Sequence, residues 1–146
     1  MTNDSDGNGA QLRILSLDDD ASIQSLIRAV LTRASDLEIR QALILEATTI
    51  AGARIILARD RIDVLLLDIH LPDGVGLDLA AELRRGDSPP PAILALTASV
   101  LPVEQQAALD AGCDAFLAKP FPAGGLVAGI RRLIDGLAGG HRPRAD

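Results

Sequence analysis

Apolar residues along the chain fall into two patterns. Leu12–Leu17 (LRILSL), Ile62–Leu67, Ala92–Leu96 (AILAL) and Asp114–Ala118 (DAFLA) are short and apolar almost throughout, which suits strands buried on both faces. Between them, apolar positions recur at spacings of three and four. Ile23, Leu26, Ile27, Val30 and Leu31 predict a helix from Ala21 to about Arg33, with Asp20 as its N-cap. Thr48 to Arg59 predicts a small-residue helix capped by Thr48 or Thr49, and Gly76 to Arg85 a helix offering Leu77, Leu79, Ala80 and Leu83 to a sheet. Val103 to Ala111 predicts another, with Pro102 near its first turn, and Ala123 to Leu137 a closing helix with Leu126, Ile130, Leu133, Ile134 and Leu137 on one side. Leu37 to Leu45 reads as a strand, although LEIRQALILEA can also continue as helix.

Five alternations of strand and helix call for a parallel sheet covered on both faces, with right-handed crossovers. The expected fold class is α/β, a single doubly wound (βα)5 domain over residues 12–137. Residues 1–11 are rich in Asn, Asp, Ser and Gly and residues 138–146 read AGGHRPRAD. Neither buries enough apolar surface to order itself, so both are expected to be flexible tails.

Composition narrows the class. A length of 146 residues suits one ordinary domain. With 48% hydrophobic residues but only two Phe and no Trp or Tyr, aliphatic side chains must fill the core. A formal net charge of -6 argues against direct nucleic-acid binding, which usually needs a basic face. Cys113 is alone, so it has no internal disulfide partner and is expected to fill a packing position. No stretch offers about 18 uncharged apolar residues for membrane insertion, and MTNDSDGNGAQ has neither the basic start nor the apolar run of a secretory signal. The expected compartment is the cytoplasm.

The chemistry gathers around VLLLDIHLPDGVG, residues 64–76, where four apolar residues end at Asp68 and a turn follows at Pro72-Asp73-Gly74. Parallel strands place their carboxyl ends on one edge, where ligands bind in open α/β sheets. Asp18 and Asp19, Asp68, Thr97 and Lys119 all stand at such ends. Three clustered carboxylates raise one another's pKa unless they share a cation. Oxygen donors with positions left for water and phosphate suit Mg²⁺ better than Ca²⁺. Phosphoryl transfer asks mainly for positioning and charge neutralisation. Mg²⁺, Thr97 and Lys119 would each hold one oxygen while Asp68 attacks in line as the nucleophile.

The segments LSLDDD, LLLDIHLPDGVGL, ALTAS and AKPF, in this order and at strand ends, resemble the receiver domains of bacterial two-component response regulators over roughly Leu12 to Leu137. The resemblance implies a five-stranded parallel sheet in the flavodoxin-like order 2-1-3-4-5. Asp68 matches the phosphoaccepting aspartate. Asp18 and Asp19 match the acidic pair that holds Mg²⁺, Asp19 more directly, and His70 matches the position whose backbone carbonyl completes the metal shell. Thr97 matches the switch hydroxyl, and Lys119 the lysine that pairs with Asp68 or its phosphate. Phe116 stands at an aromatic switch position often held by Tyr, where it lacks the phenol oxygen. The Lys119–Pro120 bond is expected to be cis, against about 5–6% for X-Pro bonds generally.

The resemblance further implies a histidine kinase or histidine phosphotransfer protein as donor and an unidentified downstream protein as target. That target would read the surface of the fourth helix, fifth strand and fifth helix of the receiver. Because the chain stops after its closing helix, it is expected to be a stand-alone receiver rather than a classical enzyme, catalysing only its own phosphorylation and dephosphorylation. The His70 side chain is expected to flank the pocket, partly exposed. The segment between the first helix and the central strand runs a few residues longer than the common pattern. Two rivals stand beside this reading. A haloacid-dehalogenase-like phosphatase would carry a second Asp where this chain has His70. A phosphate-independent interaction module of receiver-like form is opposed by the intact Asp18, Asp19, Thr97 and Lys119.

Overall fold

The computed structural model describes residues 11–99 and 101–138. The expected tails, apart from Gln11 and Ala138, lie outside the described residues. The elements in chain order begin with β1 (Arg13–Leu17), α1 (Ala21–Thr32), a short α2 (Leu37–Arg40), β2 (Leu43–Ala47) and α3 (Ile50–Arg59). There follow β3 (Val64–Asp68), a small hairpin of β4 (His70–Leu71) and β5 (Gly74–Val75), and α4 (Gly76–Arg85). The chain closes with β6 (Ala92–Thr97), α5 (Pro102–Ala111), β7 (Ala115–Ala118) and α6 (Ala123–Ala138).

The main sheet has the order β2-β1-β3-β6-β7 with every pair parallel. Counted within that sheet alone, this is the expected 2-1-3-4-5. The register brings Leu17 opposite both Ala47 and Leu67, Asp68 opposite Leu96, and Thr97 opposite Ala118, so the carboxyl ends share one edge. Successive strand residues point to opposite faces, and two aliphatic cores result. Ile14, Leu66 and Leu94 face Ile27 and Leu31 of α1 and Leu126 and Ile130 of α6. Leu15, Leu65, Leu67 and Ile93 face Ala53 of α3, Leu79 of α4 and Ala108 of α5, and the fully buried Cys113 fills this second core. Each fully buried Leu or Ile contributes about 1.5–3 kcal/mol relative to exposure. Among the described residues no helix is long and apolar enough to cross a membrane.

The expectation of a strand from Leu37 to Leu45 needs correction. Residues Leu37–Arg40 form one helical turn, and the strand begins only at Leu43. The Asp36 carboxylate accepts the Ile39 N–H at 3.2 Å as N-cap, and fully buried Ile39 plugs the core beside α1. Arg131 of α6 then grips Asp36 through two hydrogen bonds, at 2.8 and 2.9 Å, and also reaches Glu38. These contacts hold the additional residues between α1 and β2 as a docked turn.

The Pro72-Asp73-Gly74 turn lies within the β4–β5 hairpin, where His70 pairs with Val75 and Leu71 with Gly74. Gly74 has φ 151°, a conformation that L side chains rarely adopt. Asp73 reaches across to accept the N–H groups of Ile50 at 2.9 Å and Ala51 at 3.1 Å, while Thr49 Oγ1 accepts that of Gly52 at 3.0 Å. The first three otherwise orphaned donors of α3 are thereby satisfied.

Candidate functional site

The acidic run at the end of β1 divides its labour. Asp20 leaves the site and caps α1, accepting the N–H of Ser22 at 2.8 Å and of Ile23 at 3.3 Å. Asp18 is buried, and its Oδ1 accepts the Asp20 N–H at 2.9 Å. Asp19 between them is exposed, on the solvent side of the cluster.

Asp68 ends β3 and is 7% exposed. The loop after it is drawn close by Gly76, whose N–H donates to the Ile69 carbonyl at 2.6 Å. A Cβ on Gly76 would overlap the Asp68 carbonyl oxygen and stand 3.1 Å from Leu67 Cδ1, so the start of α4 can pack here only without a side chain. The Asp68 Oδ1 atom accepts the His70 N–H at 3.4 Å and the Lys119 ammonium at 3.4 Å. No donor among the described residues reaches Oδ2.

Lys119 follows β7 and is the only lysine of the chain, the remaining cationic side chains being arginine. Its compact ammonium carries three rotatable donors and can serve two carboxylates at once. Its Nζ lies 2.9 Å from Asp18 Oδ2 and 3.4 Å from Asp68 Oδ1, with 18% of the side chain exposed. Burial penalises the ammonium, but the hydrogen bond to Asp18 and the charges of Asp68 and Asp18 outweigh it and hold its pKa above the usual lysine value. Asp68 moves the opposite way in stability terms. Burial first, and the charge of Asp18 second, push its carboxyl above the usual range, against the pull of Lys119 and the His70 N–H.

Thr97 is buried at the end of β6, one residue beyond the Leu96 that pairs with Asp68. Its Oγ1 accepts the Ser99 N–H at 3.0 Å, and its carbonyl accepts the Lys119 N–H at 2.7 Å. Phe116 pairs in register with Ala95 and packs, partly buried, against the core under α3, α4 and α5. The His70 residue is exposed, and the contact it makes with the cluster is through its backbone N–H. The Lys119–Pro120 peptide bond is cis.

Carboxylate oxygens of Asp18, Asp19 and Asp68 lie within 4.8 Å of one another. One ammonium balances only one of three negative charges, so the cluster keeps an excess that a hard divalent cation neutralises, and its oxygen-only donors suit such an ion. These three residues could hold a metal. Two participants escaped the sequence reading. Asp73 couples the loop after Asp68 to α3 as described above. Gln24 of α1 donates to the carbonyls of Ser16, Asp18 and Ala47, a role for which the only sequence signal is one amide on an otherwise apolar helix face.

A doubly wound sheet carrying three carboxylates and one ammonium at its strand ends defines a class, and comparison with known proteins identifies it. Residues 14–131 match the response regulator receiver domain, and the chain belongs to that family. Response regulator MprA of Mycobacterium leprae is 39% identical over 125 residues, covering 84% of this chain and 51% of that protein. The KDP operon transcriptional regulatory protein KdpE of Escherichia coli is 33% identical over 122 residues, covering 81% and 49%. The chain thus spans about half the length of these curated relatives. A solved receiver domain from Bermanella marisrubri superposes with a TM-score of 0.73 at 29% identity, covering 84% of this chain and 97% of that one. Receiver domains of response regulators are signalling proteins rather than classical enzymes.

Proposed function

We propose that residues 12–137 form a phosphorylation-dependent signalling switch in which Asp68 accepts a phosphoryl group from a histidine kinase or histidine phosphotransfer protein in the cytoplasm. The observation that carries this reading is the Lys119 ammonium held between Asp18 and Asp68 beside a three-carboxylate cluster. Asp68 Oδ2, clear of the donors on Oδ1, attacks phosphorus in line. The new P–O bond forms as the P–N bond of the donor phosphohistidine breaks, and the departing imidazole keeps that electron pair. Asp18, Asp19, Asp68 and the His70 backbone carbonyl would hold Mg²⁺. Bound there, the ion neutralises developing charge on the phosphoryl oxygens. Lys119 stays near Asp68 and pairs with its phosphate.

A phosphoryl group adds a charge of roughly -1.5 to -2 to this edge. Thr97 turns its hydroxyl from Ser99 toward the new oxygens, and Phe116 follows the space so opened. Lacking a phenol oxygen, Phe116 transmits the change by packing alone. The faces of α5, β7 and α6 then alter their affinity for a downstream protein, until hydrolysis of the acyl phosphate resets the state.

Intact-mass spectrometry after addition of acetyl phosphate, with and without Mg²⁺, tests the reading. A phosphoryl adduct that requires Mg²⁺ and is abolished by Asp68→Asn is expected. No adduct on folded protein, or an adduct surviving Asp68→Asn, would overturn it, and the former would favour a phosphate-independent interaction module.

A further inference from the structure

Helix α1 buries three residues against the sheet, and they are Ile27, Leu31 and the amide Gln24, only 5% exposed. A polar side chain at such a position is costly unless its hydrogen-bonding groups are used. Gln24 uses one end only. Its Nε2 lies 3.0 Å from the carbonyl oxygen of Ser16, 2.9 Å from that of Asp18 and 3.1 Å from that of Ala47, so two protons serve three acceptors. Its Oε1 is buried and accepts no hydrogen bond from a described residue. An apolar side chain of the same length would avoid that orphaned oxygen, so what the amide contributes is its donors.

The three acceptors stand at the ends of β1 and β2, two of them on the backbone that carries the acidic pair. The Asp18 carbonyl belongs to the peptide joining Asp18 to Asp19. The peptide two bonds earlier is gripped through the Ser16 carbonyl, and the Asp18 N–H donates to the same Ala47 carbonyl that Gln24 holds, at 3.1 Å. One buried amide therefore fixes the chain on both sides of Asp18. The orientation of the Asp18–Asp19 peptide decides how the two carboxylates converge.

We propose that Gln24 is a positioning residue for the cation site: by anchoring the Asp18–Asp19 peptide it sets the separation of their carboxylates and thereby the affinity for a divalent cation. This rests on the reading of Asp18 and Asp19 as metal ligands. Gln24 itself touches neither the metal nor the phosphoryl group. Residues that orient ligands in this way typically change metal affinity about 10- to 100-fold when removed.

The test is a titration of the full chain with Mg²⁺ alone, no phosphodonor present, followed through the NMR shifts of the Asp18 and Asp19 amides, with urea unfolding measured in parallel. Gln24→Met keeps the length and removes the donors. Ile27→Val, on the same buried face, serves as a core variant that touches none of the three carbonyls. Gln24→Met is expected to raise the Mg²⁺ Kd about tenfold or more, whereas Ile27→Val lowers stability and keeps the wild-type Kd. An unchanged Kd in Gln24→Met, or an equal rise in Ile27→Val, overturns the proposal. Wild-type protein provides a measurement independent of whether the variant folds. Its Gln24 side-chain amide signals should exchange with solvent more slowly than those of exposed Gln41 and should shift as Mg²⁺ saturates, and signals that ignore Mg²⁺ overturn the proposal. Wild-type protein that binds no Mg²⁺ defeats the metal-ligand reading as well, whereas normal wild-type binding with an unaffected Gln24→Met defeats this inference alone.

Discussion

Gly76→Ala sets helix propensity against packing. Gly76 is the first residue of α4 and is not among the glycines with positive φ, so the backbone tolerates alanine. On propensity, alanine in a helix is favoured over glycine by about 0.5–1 kcal/mol. Packing says the reverse. The new Cβ would overlap the Asp68 carbonyl oxygen and lie 3.1 Å from Leu67 Cδ1 and 3.3 Å from the Asp68 carbonyl carbon. Asp68 and Leu67 are fixed by pairing with β6, so relief must come from shifting the β3–α4 connection, which also stretches the 2.6 Å Gly76–Ile69 hydrogen bond. Such overpacking costs about 1–3 kcal/mol, and weakening the hydrogen bond adds about 0.5–1.5 kcal/mol. The cost exceeds the gain throughout these ranges, for a net loss on the order of 2 kcal/mol. Urea unfolding should show a lower midpoint at unchanged m-value, with Tm down by on the order of 3–5 °C per kcal/mol. Because the displaced carbonyl belongs to Asp68, phosphorylation by acetyl phosphate should slow as well. A urea midpoint at or above the wild-type value would refute the steric reasoning.

Two further outcomes follow from the charges. Burial and the neighbouring Asp18 raise the Asp68 carboxyl, so in metal-free protein the folded state holds that proton more tightly than the unfolded chain and loses stability as pH rises through the folded pKa. Asp68→Asn should therefore raise the urea midpoint at pH 7 without Mg²⁺, with the advantage fading as pH falls toward about 4, and equal midpoints at pH 7 would contradict this. Arg131→Met removes the grip on Asp36, Glu38 and Asp135 and should cost about 1 kcal/mol at pH 7. The Arg131 hydrogen bond first, and the Ile39 N–H after burial is offset, hold the Asp36 carboxyl below its usual range. That stability is present above the unfolded pKa and is lost as pH falls through the folded one, so wild type and variant should converge in acid, and a constant gap down to pH about 2 would count against it.

The apolar runs announced four of the five main strands, β1, β3, β6 and β7, because strands of a covered sheet leave little room for polar residues, and the helices between them showed their spacing. Strand β2, half exposed at the sheet edge, was blurred into the Leu37–Leu45 reading. The site was legible for a topological reason. Strands that run parallel must deliver Asp18, Asp68, Thr97 and Lys119 to one edge whatever the loops do. What escaped depends on partners distant in sequence. The turn at Leu37–Arg40 is stabilised by Arg131, more than 90 positions away, although Asp36 as a cap residue was a local sign of it. The run Asp18-Asp19-Asp20, by contrast, sorts itself locally: Asp20 directly precedes the helical spacing and reads as its cap, and the Ser22 and Ile23 N–H groups it accepts bear that out. Asp73 looked like an ordinary turn residue because the α3 donors it satisfies lie 22 and 23 residues earlier.

The central claim is that Asp68 carries the phosphoryl group, and chemical trapping tests it most directly. Borohydride reduces an aspartyl phosphate to homoserine, so protein treated with acetyl phosphate and Mg²⁺, then borohydride, can be digested and sequenced by tandem mass spectrometry. The account predicts homoserine at position 68, dependent on Mg²⁺ and on the phosphodonor. Homoserine at Asp18 or Asp19 instead, or none at all on folded protein, would contradict it.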